Sequence, residues 1–150
     1  MRVIRGSCHC GNIRYVLRWP LHGNEIPVRA CSCGFCTKHR GTYTSHPDAE
    51  LDVMVAGEAP VSRYAFATGT AEFFVCCRCG VVPFATSEID NRLFAVVNVN
   101  SFEPDDPLIF IQEVTNFDGE STEKRVARRK RNWIPTVSIE EPEEAPDVPL

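Results

Sequence analysis

Eight cysteines fall into three short clusters, and that grouping constrains this chain of 150 residues more than any other feature. The clusters are Cys8-His9-Cys10-Gly11, Cys31-Ser32-Cys33-Gly34-Phe35-Cys36 and Cys76-Cys77-Arg78-Cys79-Gly80. Cysteines grouped in this way are disulfide partners or metal ligands, and the redox compartment decides between the two. The opening Met1-Arg2-Val3-Ile4-Arg5-Gly6 lacks the apolar stretch of a secretory signal. No apolar run approaches the roughly 18 residues of a membrane helix. The chain is therefore expected in the cytoplasm, without a membrane partner, where thiols stay reduced and are free to bind metal.

The spacing sorts seven of the cysteines into two zinc sites. Zinc wants thiolates about 2.3 Å away in a tetrahedron. In an extended segment residues i and i+2 share a face, so Cys8 and Cys10 are expected to present two sulfurs together from a strand, with His9 turned away. Cys76 and Cys79 form a Cys-x-x-Cys turn eased by Gly80. The two pairs together make a closed four-thiolate site, which is the structural kind. Cys31, Cys33 and Cys36 supply three ligands and no fourth, which is how catalytic zinc keeps a position open. Two zinc ions per chain follow.

Three thiolates give the second ion a formal charge of −1. Such an ion is a poorer Lewis acid than one held by neutral histidines, and better suited to holding a thiolate that stays nucleophilic. Lys38, His39 and Arg40 follow the cluster and are placed to offset its charge or hold an anionic substrate. Of the histidines His39 is the best candidate for proton transfer, since an ordinary histidine titrates near pH 6.5, against the plainer reading of a solvent-exposed side chain. Cys77 either completes the second site and silences it, or is a buried small residue or a spare thiol.

Around the cysteines the chain reads as many short strands and little helix. Ile13, Tyr15 and Leu17 alternate with Arg14, Val16 and Arg18, and Leu51, Val53 and Val55 repeat the pattern. Further strands are expected over 61–66, 72–75, 93–97 and 108–112, each bounded by turn residues. Helix is expected over 34–40, stopped by Gly41, and over 120–132. A hydrophobic content of 43% supports one folded domain over 1–135. Past it, Glu140, Glu141, Glu143, Glu144 and Asp147 interleave with prolines, and 136–150 is expected to be a disordered acidic tail. A net charge of −4 argues against nucleic acid as a partner. Lys124 to Arg131 carries six positive charges and reads as a solvated helix face, or else as a contact for an anionic partner.

At its cysteine clusters the sequence resembles the glutathione-dependent formaldehyde-activating enzymes, a family that includes centromere protein V. The resemblance rests on Gly6-Ser7-Cys8-His9-Cys10-Gly11, on Cys31-Ser32-Cys33-Gly34-Phe35-Cys36, and on Phe74-Val75-Cys76-Cys77-Arg78-Cys79-Gly80. It implies a β-tent fold of short antiparallel sheets assembled around zinc. It implies structural zinc at Cys8, Cys10, Cys76 and Cys79, and catalytic zinc at Cys31, Cys33 and Cys36. The implied activity is that of a carbon–sulfur lyase, adding glutathione to formaldehyde to give S-hydroxymethylglutathione. Ser32 stands where members often carry histidine, and Cys77 lies outside the pattern.

The reading is then a zinc-bound β-domain acting on a small thiol and a small aldehyde. Its rivals are a non-catalytic zinc-stabilised module that binds a partner through 124–131, and a protein that buffers metal at the middle cysteines.

Overall fold

The chain opens with an antiparallel hairpin of β1 (Arg2–Ser7) and β2 (Ile13–Trp19). Along β2 the expected alternation holds: Ile13, Tyr15, Leu17 and Trp19 are buried and the residues between them are more exposed. A strand that hides every second side chain needs a second layer to cover that face. The computed structural model, which describes residues 1–143, supplies it as a second sheet.

The first sheet has the order β1-β2-β5-β11, with β5 (Glu50–Val55) antiparallel to β2 and β11 (Thr136–Glu140) parallel to β5. The second is longer and begins with β10 (Ile109–Thr115) beside β3 (Glu25–Cys31) and β4 (Thr42–Thr44). It continues through β9 (Arg92–Asn98), β8 (Phe84–Ile89), β7 (Glu72–Cys76) and β6 (Val61–Tyr64). The fold is mainly β, as expected. It departs from a purely antiparallel design at two places, because β10 runs parallel to β3 and β11 parallel to β5.

The main core lies between the sheets. Ile4, Tyr15, Leu17 and Trp19 from the first meet Ile26, Val28, Phe74 and Phe84 from the second, all essentially without exposure. Each such side chain contributes about 1.5–3 kcal/mol by leaving water. Phe74 and Phe84 stack with centroids 4.4 Å apart, and the buried Tyr15 hydroxyl is satisfied at 2.7 Å by Ser101 Oγ.

Two helices complete the described residues, besides a 3₁₀ turn at Val99–Ser101: α1 (Gly34–His39) and α2 (Thr122–Asn132). The expected stop of α1 at Gly41 is displaced by one residue, for Arg40 itself takes the left-handed cap at φ 56°. The expected boundary at residue 135 also moves. Thr136–Glu140 pair with β5 across five residues, and Ile134 is fully buried and bonded both ways to Ala95. The alternation in Thr136-Val137-Ser138-Ile139-Glu140 suffices for an edge strand despite the acidic prolines that follow. Residues 144–150 of the expected tail lie outside the described ones. No helix among the described residues is long and apolar enough to cross a membrane.

Candidate metal centres and their cavity

Cys8 follows the last residue of β1, and Cys8 to Asn12 make the turn into β2. The expected strand geometry for Cys8 and Cys10 is therefore wrong; a turn brings them together. Gly11 takes φ +81°, its N–H donates to the Cys8 carbonyl at 3.1 Å, and the Ile13 N–H donates to Cys8 Sγ at 3.3 Å. His9 is exposed, as expected. Cys76 ends β7, and Gly80, at φ +75°, donates back to its carbonyl at 2.8 Å, which curls Cys79 onto the same side. Buried Asn12 ties the two turns through a shared loop. It donates to the Ala59 carbonyl and accepts from the N–H groups of Glu58 and Ala59, while the Cys77 N–H donates to Pro60 next door.

The result gathers Cys8, Cys10, Cys76 and Cys79 with all four sulfurs within 4.8 Å of one another. Cys8 and Cys10 are 3.7 Å apart at sulfur, and Cys10 and Cys76 3.5 Å. Sulfurs about 2.3 Å from a tetrahedral ion sit about 3.8 Å apart, whereas disulfide sulfurs sit at about 2.05 Å. The described cysteines are all free, so the group fits an ion and not a pair of bridges. Burial opposes ionisation of Cys79, yet N–H groups of Cys10 and Val81 and the neighbouring thiols draw it down to about 6. Burial pushes Cys76 up to about 12. Four crowded thiols with such divided tendencies are a donor set that a cation would satisfy. Cys77 is exposed and stands outside the group.

The middle group forms where β3 runs into α1. Cys31 ends the strand, Cys33 is the N-cap of the helix with Sγ accepting from the Cys36 N–H at 3.4 Å, and Cys36 is the buried residue of the helix. Their sulfurs also lie within 4.8 Å of one another, with no fourth donor among the described residues. The Cys36 thiol, bonded to Cys31, holds Cys31 down to about 5 and is itself pushed up by Cys31 and by burial.

These three cysteines line a cavity of about 830 Å³, counting its open mouth. None of the other four does. Tyr43, Phe66, Phe73 and Trp133 form apolar walls. The Tyr43 hydroxyl meets His39 Nε2 at 2.9 Å, although His39 itself does not line the cavity. Lys38 and Arg40, expected to offset the cluster's charge or hold an anionic substrate, are exposed and do not line the cavity. The cations on the lining are Arg29, Arg125, Arg128 and Arg129.

The basic run is therefore not a solvated face throughout. Arg129 is 6% exposed and donates to Thr70 Oγ1 at 2.7 Å and Ser87 Oγ at 3.3 Å. Arg128 binds Glu120 through two nitrogens at 3.0 and 3.2 Å and lies 3.6 Å over the Phe117 ring. Only Lys124, Lys130 and Arg131 of the six cations remain exposed. The spacing 125, 128, 129 already puts three arginines on one helical face. The chain's topology, not its local pattern, aims that face at the cysteines.

Residues 3–113 match the family of glutathione-dependent formaldehyde-activating enzymes. The chain belongs to that family. The matched stretch takes in both cysteine groups, Arg29 and Tyr43, and ends before α2. The family's description gives its activity as glutathione-dependent activation of formaldehyde. A crystal structure of a Rhodobacter sphaeroides protein is similar in fold, with a TM-score of 0.50 and 23% identity, over 71% of this chain and 99% of that one. No curated protein matches significantly.

Proposed function

We propose that this formaldehyde-activating family member is a zinc-dependent carbon–sulfur lyase that joins a thiol such as glutathione to formaldehyde and runs the reverse cleavage. The observation that carries the reading is that the three-sulfur group lines the cavity while the four-sulfur group does not. Cys8, Cys10, Cys76 and Cys79 would hold a structural ion, and Cys31, Cys33 and Cys36 the catalytic one. Zinc at the triplet would supply an open position at which a thiol ionises near neutral pH and its sulfur stays nucleophilic.

The reaction needs no further reactant. A bond forms from the thiol sulfur to the carbonyl carbon, and the thiol proton ends on the new hydroxyl oxygen. The chain offers that proton a path. His39 Nδ1 lies 2.7 Å from the Phe35 carbonyl, which can only accept, so Nδ1 carries the hydrogen and Nε2 accepts from Tyr43. Tyr43 takes the substrate proton as its own passes to His39, and the same relay returns it. Burial lowers the His39 pKa below its ordinary value, which keeps the ring neutral and able to accept.

A crystal of the zinc-loaded protein soaked with glutathione tests the assignment. The expected result is the thiol sulfur on an ion held by Cys31, Cys33 and Cys36. A triplet ion closed by a fourth protein ligand, or a thiol bound only elsewhere, would overturn it.

A further inference from the structure

The lining of the cavity carries four arginines and one acid, Asp118. Glu120 beneath the wall pairs with Arg125 and Arg128, and Glu113 on β10 offsets Arg29 in part. Counted against those acids and the three cysteines on the same lining, only a small positive surplus remains, and the guanidiniums lie close enough to repel one another. Arg129 shows the strain: burial, with Arg128 and Arg125 nearby, brings its pKa down to about 10.

Hydrogen bonding shows the same imbalance. Among the described residues four buried side-chain nitrogen or oxygen atoms have no partner, and three belong to residues of this cavity: Thr115 Oγ1, Arg125 Nε and Arg129 Nε. Buried polar groups are ordinarily satisfied, so such a concentration at one cavity points to a ligand. Guanidinium forks match planar oxyanions, carboxylates foremost, and the walls of Phe66, Phe73 and Trp133 suit an apolar or aromatic body.

We propose that the cavity binds a carboxylate carried on an apolar or aromatic body, with Arg29, Arg125 and Arg129 around the anion, and that α2 thereby selects the substrate. Combined with the proposed function, on which this last step rests, the thiols favoured at the triplet are those bearing such a carboxylate. Neutral and cationic thiols are disfavoured.

The test uses ligands without sulfur, so that it reads the anion site whether or not the cysteines do chemistry. Binding of 3-phenylpropanoate, 3-phenylpropanamide and inorganic phosphate to the zinc-loaded protein is measured by calorimetry. The acid should bind about ten-fold or more tighter than the amide, as charge-assisted bonds require. Arg125→Gln should erase most of that preference and leave amide binding nearly unchanged, whereas exposed Lys124→Gln should preserve it. Arg29→Gln, on β3 and so outside α2, repeats the test should Arg125→Gln loosen that helix. Equal binding of acid and amide, no binding of either, or equal effects of Lys124→Gln and Arg125→Gln would overturn the proposal. Tighter binding of phosphate than of the acid would overturn its carboxylate assignment. An intact acid preference in a protein without thiol turnover would sink the lyase reading alone.

Discussion

Tyr43, a residue of the cavity wall, donates its hydroxyl hydrogen to His39 Nε2 at 2.9 Å, and so ties that wall to a neutral, half-buried imidazole. If this pair moves the thiol proton, His39→Gln and Tyr43→Phe should each lower the rate of S-hydroxymethylglutathione formation by about 100-fold, a usual size for general acid–base catalysis. Zinc content should not change. A variant that keeps full turnover at neutral pH removes the pair from the mechanism.

The same imidazole sets a pH response. Burial, offset in part by the Phe35 carbonyl and the Cys31 thiolate, puts its folded pKa below the ordinary 6.5. Between pH 6.5 and that lower value the unfolded chain binds a proton that the folded chain does not, so stability falls as pH falls through this window. His39→Gln should flatten that part of the stability curve, measured by denaturant titration from pH 5 to 7. An unchanged slope would mean that His39 is not held neutral.

Gly41 makes the pair possible by its size. A Cβ there would lie 2.4 Å from His39 Nε2 and 2.6 Å from a Tyr43 ring carbon. Gly41→Ala should therefore push the two rings apart and lower turnover while both metals stay bound. Turnover equal to that of the wild type would show that the rings adjust without cost.

The grouping within each cysteine cluster was legible in the spacing, because cysteines two to five residues apart stay close together wherever the chain goes. The alternation of Ile13, Tyr15 and Leu17 was equally plain, since a half-buried strand writes its period into the sequence. Three things were not. The turn at Cys8–Cys10 mimics a strand pair in spacing while differing in shape. β11 hides beside an acidic, proline-rich run. The inward face of α2 depends on β10 running parallel to β3, which carries the following residues over the middle cysteines. Nothing local to Arg125, Arg128 and Arg129 encodes that long-range pairing.

Glu120 anchors α2 by its two bonds to Arg128 and its proximity to Arg125. The hydrogen bond from Arg128, chiefly, holds its carboxyl below the ordinary 4.5. The stabilisation is present above pH 4.5 and is lost as pH falls through the lower folded value. Glu120→Gln should cost about 2 kcal/mol at neutral pH and nothing once the carboxyl is protonated. An equal cost at both pH values would assign the effect to packing.

The four-cysteine group joins turns 66 residues apart, and a structural zinc contributes roughly 10–16 kcal/mol in small domains, as much as or more than the ~5–15 kcal/mol net stability of a whole domain. Cys79→Ser should consequently abolish soluble, native protein, read by circular dichroism after expression with added zinc. Normal melting of this variant would deny the site a structural role.

The most direct test of the account compares wild type with Cys31→Ser in zinc content, melting temperature and adduct turnover, on the same zinc-supplemented preparations. Cys31, Cys33 and Cys36 enclose only a short stretch of chain, so their ion adds little to the closure of the fold. Cys31→Ser should melt near the wild type, retain about one zinc where the wild type holds about two, and lose turnover. Full turnover in Cys31→Ser, or unfolding as severe as that of Cys79→Ser, would contradict the division into a structural and a reactive centre.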